Sequence, residues 1–394
     1  MKIALIGSRG IPARYSGFET FYEQLGVRLA ARGHSVTVYN RRHFIRDVKG
    51  AYKGVRLVSL PCIRTKHLET LTHTLLSSLH ALTQRYDIAY YCIVGNAPLV
   101  WLPRLAGSRT LLNVDGEDWA REKWGAFARW YQKVCERVAT VTPSAVVADA
   151  VAIRDRYRRE YGIETVFVPY GANIARTEAT DALARFGLLP RRYVLYVGRF
   201  VPENAIHILL EAFRGVKTDM KLVVVGDAPY ADDYKRQLRE RADDRVVFTG
   251  YVFGEAYAEL SSHAYLYVQP SAIDGTRPAL LDQLGFGNAV LVRDSTVNME
   301  VIGGEGAHFT GGTPVESLRE RLQQLVDAPA EVEGLRRRAH ARITDYYNWD
   351  TVTDFYEMLF ARLLQRQPLE SYDTFVAARP RPVLQPPTEG TVQP

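Results

Sequence analysis

Apolar residues follow two rhythms along this chain. Short, nearly unbroken apolar runs predict buried parallel strands at Lys2–Gly7, Ser35–Tyr39, Val55–Leu60, Ile88–Cys92, Thr110–Val114 and Thr165–Val168. Between them, apolar residues at spacings of three and four predict helices at Phe18–Arg32, His67–Gln84, Trp119–Arg137 and Ala145–Tyr161. Phe21, Leu25 and Leu29 recur every fourth residue, and Gly33 is a stop signal before the next strand. In Trp119–Arg137, the residues Trp124, Phe127, Tyr131, Val134 and Val138 share one face, which predicts core packing. The turn chemistry of Pro169-Tyr170-Gly171-Ala172-Asn173 closes this series.

A second series has strands at Tyr193–Val197, Lys221–Val225, Val246–Thr249, Tyr265–Val268 and Ala289–Val292. Its helices are Ile206–Arg214, Tyr234–Ala242, Glu255–Ser262 and Pro278–Gly285. Helices at Val315–Val326, Val332–Tyr346 and Trp349–Leu364 follow, the last with an amphipathic face of Trp349, Val352, Tyr356 and Leu359. Two strand–helix series of similar length predict an α/β protein with two doubly wound, Rossmann-like domains facing a cleft. Six of the 19 prolines lie after Arg366, predicting a surface strap with a disordered end.

Composition narrows the class. Apolar residues make up 47% and charged residues 24% of the 394 residues, as in soluble globular proteins. The three cysteines have no CxxC spacing, which predicts a reducing compartment. No apolar run reaches the roughly 18 residues of a membrane span, and the first residues lack a signal-peptide pattern, so a cytoplasmic location is expected. A net charge of +6 is too small to argue for nucleic acid. The segment 41–66, however, holds eight Lys/Arg residues and one acid, Asp47. It reads either as a contact for an anionic membrane surface or as a solvated basic loop.

Four loops at strand ends could carry chemistry. Gly7-Ser8-Arg9-Gly10-Ile11-Pro12, with Gly17 before a helix, lets a phosphate approach backbone N–H groups at a helix start; a plain turn is the alternative. It is not GxGxxG, which disfavours an NADP-dependent oxidoreductase. Gly198-Arg199 follows a strand and would neutralise a diphosphate, unless Arg199 is a surface residue. Asp274-Gly275-Thr276-Arg277-Pro278 leads to Asp282 one turn into a helix. Two such carboxylates can accept bonds from sugar and ribose hydroxyls, while Gly275 and Thr276 offer N–H groups; helix capping is the alternative. Asn113-Val114-Asp115-Gly116-Glu117-Asp118 places acids at a strand end, and Arg121 and Lys123 sit against the dipole of the following helix, as an anion-binding pair would. Asp-x-Asp, HExxH, GxSxG and the P-loop pattern are absent.

Taken in order, these motifs resemble the family 4 glycosyltransferases of GT-B fold. Gly10-Ile11-Pro12, Gly17-Phe18-Glu19-Thr20, Arg32-Gly33-His34, Asn113-Val114-Asp115-Gly116, Pro202-Glu203-Asn204 and Gly285-Phe286-Gly287-Asn288 are similar to the bacterial rhamnosyltransferase-like subgroup. The resemblance spans about Met1 to Leu364. It implies an acceptor-side domain 1–173 with 347–366 crossing back onto it, a nucleotide-sugar domain 174–346, and a tail 367–394. It implies retaining transfer from a nucleotide-diphosphate sugar, without metal or other cofactor, to a glycan or polyprenyl-linked acceptor in cell-surface polysaccharide assembly. By resemblance, Gly17, Gly198, Arg199, Asn204, Asp274, Gly275, Thr276 and Asp282 bind the donor. Asp115, Arg199 and Asp274 act at the reacting centre, and Glu117, Arg121 and Lys123 meet the acceptor. The chain departs from the family's E-x7-E pattern, with Asp274 and Asp282 as shorter carboxylates, and has Asn204 where many members carry lysine. Rhamnose from dTDP-rhamnose is the expected donor; a UDP- or GDP-sugar, or a binding protein that has lost catalysis, are the alternatives.

Overall fold

The structure, a computed structural model, describes residues 1–14, 17–65, 68–114, 125–173, 176–228, 231–272, 278–304 and 306–379. The first sheet contains β1 (Lys2–Ile6), β2 (Ser35–Arg41), β3 (Ala51–Tyr52), β4 (Val55–Leu60), β5 (Ile88–Cys92), β6 (Arg109–Val114), β7 (Ala145–Ala148) and β8 (Val166–Phe167). Their order is β3-β4-β2-β1-β5-β6-β7-β8, parallel except for the β3–β4 hairpin. Ile3–Ile6 and Ile88–Cys92 are fully buried, as central parallel strands covered by helices on both faces must be. The helices here are α1 (Gly17–Ala31), α2 (Glu69–Gln84), α3 (Ala126–Ala139) and α4 (Val151–Tyr161).

After the short helix α5 (Asp181–Arg185), the second sheet takes β9 (Tyr193–Val197), β10 (Lys221–Val225), β11 (Val246–Gly250), β12 (Leu266–Gln269), β13 (Val290–Arg293) and β14 (Ala307–Phe309). The order is β11-β10-β9-β12-β13-β14, all parallel. Its helices are α6 (Ile206–Arg214), α7 (Asp232–Arg241), α8 (Gly254–Ser262), α9 (Pro278–Gly285), α10 (Thr296–Ile302), α11 (Pro314–Asp327) and α12 (Pro329–Tyr346). The order reverses direction on either side of β1 and of β9, which opens a crevice at the carboxyl ends of the strands in each sheet. The fold is the expected pair of doubly wound α/β units.

The chain passes between the units twice, and the two passages touch. The Ala172 N–H donates to the Tyr347 carbonyl at 2.6 Å, and Ala172 forms a parallel bridge with Asn348. Beyond this point α13 (Trp349–Gln365) lies on α1. Phe21 of α1 packs its ring against Trp349 and Tyr356, with centroids 6.0 and 5.5 Å apart. Ion pairs rim the contact, Arg28 with Asp350 at 3.1 Å and Arg32 with Asp354 at 2.6 Å, and His34 Nε2 makes a hydrogen bond with Glu357 at 2.7 Å. The predicted amphipathic face of this helix is buried at Trp349, Val352, Tyr356 and Leu359.

Several sequence expectations need correction. Ala145–Tyr161 is not one helix: Ala145–Ala148 is strand β7 and the helix begins at Val151. Four small or β-branched apolar residues fit a buried strand as well as a helix, and only the pairing with β6 decides. Of the helix expected at Trp119–Arg137, residues 119–124, Trp124 included, lie outside the described residues; the described part is α3, which begins at Ala126 after Gly125. Its expected core face is also wrong in part, because Phe127 is 77% exposed. Gln132, Cys135, Glu136 and Ala139 are buried instead. The strap after Arg366 folds back as α14 (Tyr372–Ala377), whose Tyr372 is fully buried and donates to the Tyr346 carbonyl at 2.6 Å. The expected disordered end, 380–394, lies outside the described residues.

Candidate active site

The loop after β1 is locked by side chains from neighbouring elements. Asn40 accepts from the Ile11 N–H at 3.1 Å and donates to the Ile11 carbonyl at 2.8 Å. From α1, Glu23 accepts from Ala13 N–H at 2.7 Å and buried Glu19 from Arg14 N–H at 3.2 Å. The anchoring roles of Asn40 and Glu23 carry no local sequence mark, whereas Glu19, a carboxylate in the first helical turn, is a recognisable signal. Together these side chains fix the start of α1, where Gly17 sits so close to α9 that a β-carbon on it would come within 2.9 Å of Pro278 Cγ. The N-termini of a first-unit helix and a second-unit helix therefore meet, and their positive dipole ends share one crevice.

Gly198 and Arg199 leave the carboxyl end of β9 on the second unit's side of that crevice. The Gly198 N–H donates to the Val225 carbonyl at 3.0 Å. Asn204 is buried, and its amide donates to the Arg199 carbonyl at 2.8 Å, so it holds the loop that carries the guanidinium. Ser271, past the end of β12, donates to the Glu203 carbonyl at 2.8 Å and ties this loop to the segment leading to α9. A residue pair that sequence reading overlooked completes the edge: Gly226 and Asp227 after β10. Asp227 receives the Lys235 ammonium at 3.3 Å, and a cavity of about 120 Å³ opens among Phe200, Gly226, Asp227, Lys235, Arg239 and Gly250. A glycine directly after the apolar run Lys221–Val225 was the available signal.

Asp282 lies one turn into α9 and is half-buried. Its helix is seated on α8 by a polar network: Gln283 donates to Ser261 Oγ at 2.8 Å, and Asn288 donates to Gln283 Oε1 at 2.7 Å. Burial pushes the Asp282 carboxyl up to about 7. Glu300 of α10 is also pushed up to about 7 by burial, although it accepts from the Val151 N–H at 2.9 Å, across to the start of α4. A carboxyl whose folded value is raised contributes stability that is fully present below pH 4 or so and is lost as pH rises through about 7. Asp282→Asn is therefore expected to match wild type near pH 4 and to be more stable above pH 7, by up to about 4 kcal/mol. Thermal unfolding across pH checks this, and a stability difference that is flat with pH would refute it.

The structure thus sets Gly17 against the start of the helix bearing Asp282, and places Gly198, Arg199 and Asn204 past the carboxyl end of β9, the strand beside the β12 that leads to that helix. Asp115, Gly116, Glu117, Arg121 and Lys123, and likewise Asp274, Gly275 and Thr276, lie outside the described residues. Asn113 and Val114, which lead to Asp115, end β6 in the first sheet. For metal ligands, the described residues hold one His/Cys/carboxylate cluster, His43, Cys62 and Glu69. Glu69 there already receives Arg41 at 3.1 Å and His43 at 3.0 Å, and a guanidinium so placed opposes a cation.

Comparison with known proteins agrees with this architecture. Residues 16–171 match the "Glycosyl transferase 4-like domain" and residues 191–328 match "Glycosyl transferases group 1". The chain is 25% identical over 226 residues to alpha-D-kanosaminyltransferase of Streptomyces kanamyceticus, covering 54% of this chain and 58% of that protein. It is 26% identical over 234 residues to the putative teichuronic acid biosynthesis glycosyltransferase TuaC of Bacillus subtilis, covering 57% and 53%. These matches span a little over half the length of each of those relatives. Among solved structures, sucrose-phosphate synthase of Thermosynechococcus elongatus superposes with a TM-score of 0.80 at 20% identity, over 93% of this chain and 100% of that one. Anabaena Alr3699/HepE in complex with UDP-glucose gives 0.74 at 17% identity, over 93% and 100%. The chain carries a glycosyl transferase 4-like domain followed by a glycosyl transferases group 1 domain, on the GT-B fold.

Proposed function

We propose that this protein transfers a sugar from a nucleotide-diphosphate donor to a glycan or lipid-linked acceptor, with retention at the anomeric carbon and without a metal ion. The observation that supports the reading is the meeting of Gly17 with Pro278, which brings two helix N-termini together; the Gly198–Arg199 loop follows β9, the strand paired with the β12 that leads to α9. In this reading the unit 1–173, with 347–366, is the acceptor side and the unit 174–346 holds the donor. One structural neighbour is described in complex with UDP-glucose, which supports the donor class, and one relative is named a putative teichuronic acid biosynthesis glycosyltransferase. We take rhamnose from dTDP-rhamnose as the leading donor and a UDP- or GDP-sugar as the second.

The chemistry follows from where charge develops. As the C1–O bond to the diphosphate breaks, negative charge grows on the leaving group and positive charge on the sugar. Arg199 and the N–H groups at the starts of α1 and α9 stabilise the first. The acceptor oxygen bonds to C1 on the face the leaving group vacates, and its proton passes to a leaving phosphate oxygen. Asp115 orients the acceptor hydroxyl or faces the sugar cation, and Asp274 contacts the donor sugar. Asp282 accepts from the ribose hydroxyls, and those bonds offset the burial that otherwise holds its carboxyl near neutral. Asn204 acts through Arg199, whose carbonyl it holds.

We also propose a peripheral membrane location. No described helix is long and apolar enough to cross a membrane. Large apolar side chains stand exposed on neighbouring elements of the first unit: Leu75, Leu76 and Leu79 on α2, Trp101 and Leu105 on adjoining turns, and Phe127 and Trp130 on α3. Such apolar positions, on a unit whose sequence also carries the basic segment 41–66, suit an anionic bilayer.

Thermal-shift screening against dTDP, UDP, GDP and NADP is the first test, because a bound nucleotide raises the unfolding midpoint by mass action. A shift with NADP alone would reject the transferase reading. Binding without turnover of the matching sugar nucleotides would favour the non-catalytic alternative. Arg199→Ala is expected to lower kcat/KM at least about tenfold, the worth of one charged hydrogen bond. Unchanged kinetics in the folded variant would remove Arg199 from the site.

A further inference from the structure

We propose that the concavity built by residues 42–64 is an anion site that binds a phosphate ester carried by the acceptor. This rests on the transferase reading above and names what its acceptor brings. The cavity measures about 610 Å³ and is lined by Arg42, His43, Arg46, Lys49 and Arg64, with buried Leu57 in its wall and no carboxylate in its lining.

Arg46 Nε donates to the His43 carbonyl at 2.9 Å, and Arg42 reaches the Ser59 carbonyl at 3.4 Å. Carbonyl contacts leave the positive charges unneutralised. Among the described residues, none of Arg42, Arg46, Lys49 and Arg64 is paired with a carboxylate. The two nearest acids in sequence are engaged elsewhere: Asp47 with Arg14, and Glu69 with Arg41 and His43. A solvated basic face would intersperse acids; here four full cations converge on one hollow. Their mutual repulsion is relieved when an anion enters, and guanidinium forks match phosphate oxygens.

The placement fits an acceptor. The cavity runs along β4, from Leu57 and Ser59, to Arg42 just past the carboxyl end of β2. That is the sheet edge that also carries the loop leading to α1: the Arg41 N–H donates to the Arg9 carbonyl at 3.0 Å, and the Arg9 guanidinium lies 5.1 Å from the Phe44 ring centroid. Ile63, 52% exposed, stands beside Arg64, so apolar ground adjoins the charges. The phosphate ester could therefore come from a lipid or from a soluble sugar phosphate.

The experiment titrates inorganic pyrophosphate, and in parallel sediments phosphatidylglycerol vesicles, with wild type, with Arg46→Glu/Lys49→Glu and with Arg199→Ala. All four altered or neighbouring cations of the hollow are exposed, so the charge reversal should keep the wild-type unfolding midpoint; Arg46→Gln/Lys49→Gln replaces it if it does not. Charge reversal is expected to weaken pyrophosphate binding at least tenfold, with the loss largest at low salt. Arg199→Ala should retain the component that Arg46 and Lys49 provide. Loss of pyrophosphate binding with unchanged vesicle binding supports a soluble phosphate ester; loss of both supports a lipid-borne one. Pyrophosphate affinity equal to wild type in the charge-reversed protein overturns the site. Nucleotide-diphosphate binding is read in the same samples. Its absence in wild type, with the response at Arg46 and Lys49 intact, rejects the donor reading and leaves the anion site standing.

Discussion

Gly226→Ala is expected to disrupt the second unit at the edge where Gly198 and Arg199 leave β9. Gly226 has a φ of +135°, a conformation that side chains other than glycine's rarely adopt. A β-carbon there would come within 1.9 Å of the Gly198 carbonyl oxygen. That atom is backbone, fixed by the β9–β10 ladder, so it cannot turn aside as a side chain would. Strain and clash together should cost about 3 kcal/mol or more, a fall of roughly 6–12 °C in the unfolding midpoint of this unit. Because the displaced atom belongs to Gly198, Arg199 moves with it, and nucleotide affinity should fall alongside stability. Gly250→Ala is the matched control. It also has positive φ, at +69°, and lines the same cavity, but nothing lies within 4 Å of its added carbon. It should cost only about 1 kcal/mol and keep nucleotide binding. Equal effects from the two substitutions would mean that the approach of Gly226 to Gly198 is not a rigid constraint.

Trp349→Ala is expected to destabilise the protein by about 3–5 kcal/mol, the range for emptying a large aromatic from a core. Trp349 is 2% exposed, opens α13 and fills the space between α1 and the first passage of the chain. Its ring packs on Phe21, and the Arg28 guanidinium lies 5.9 Å from the ring centroid. Gly171 runs so close beneath it that a β-carbon there would lie 2.4 Å from Trp349 Cδ2. This predicts a coupling as well as a loss. Gly171→Ala should be strongly destabilising alone and nearly neutral once Trp349 is alanine, because the clash has lost its partner. Thermal unfolding of the two single variants and the double variant reads both numbers. Additive effects, or a Trp349→Ala protein within about 1 kcal/mol of wild type, would mean that the ring does not bind the two passages together.

The regular parts of the fold were legible because they depend on short-range pattern. The runs Tyr193–Val197, Lys221–Val225, Val55–Leu60 and Ile88–Cys92 are strands with the predicted bounds. Each is apolar enough to be buried on both faces and flanked by a turn. Ala145–Ala148 failed because a four-residue run that continues into helical spacing carries no local mark of its pairing with β6. Phe127 failed differently. The periodicity identified a face correctly as apolar, but it does not say whether protein covers that face, and nothing among the described residues covers Phe127 enough to bury it. The strand-end loops at Gly17 and Gly198–Arg199 were legible from glycine placement before helices. The closeness of Gly226 to Gly198, the hold of Asn204 on the Arg199 carbonyl and the concavity around Arg46 were not, since each is a contact made by tertiary folding.

The paired passages at 169–173 and 347–349 have a consequence for biosynthesis. The first sheet is complete in sequence by Phe167, yet the rings of Phe21 and Tyr90 obtain their cover from Trp349, Tyr356 and Phe360. A nascent chain emerging from the ribosome therefore presents an unfinished lobe throughout translation of the following lobe. The lobe made second has the chance to close first, and the lobe made first waits for α13 to leave the exit tunnel.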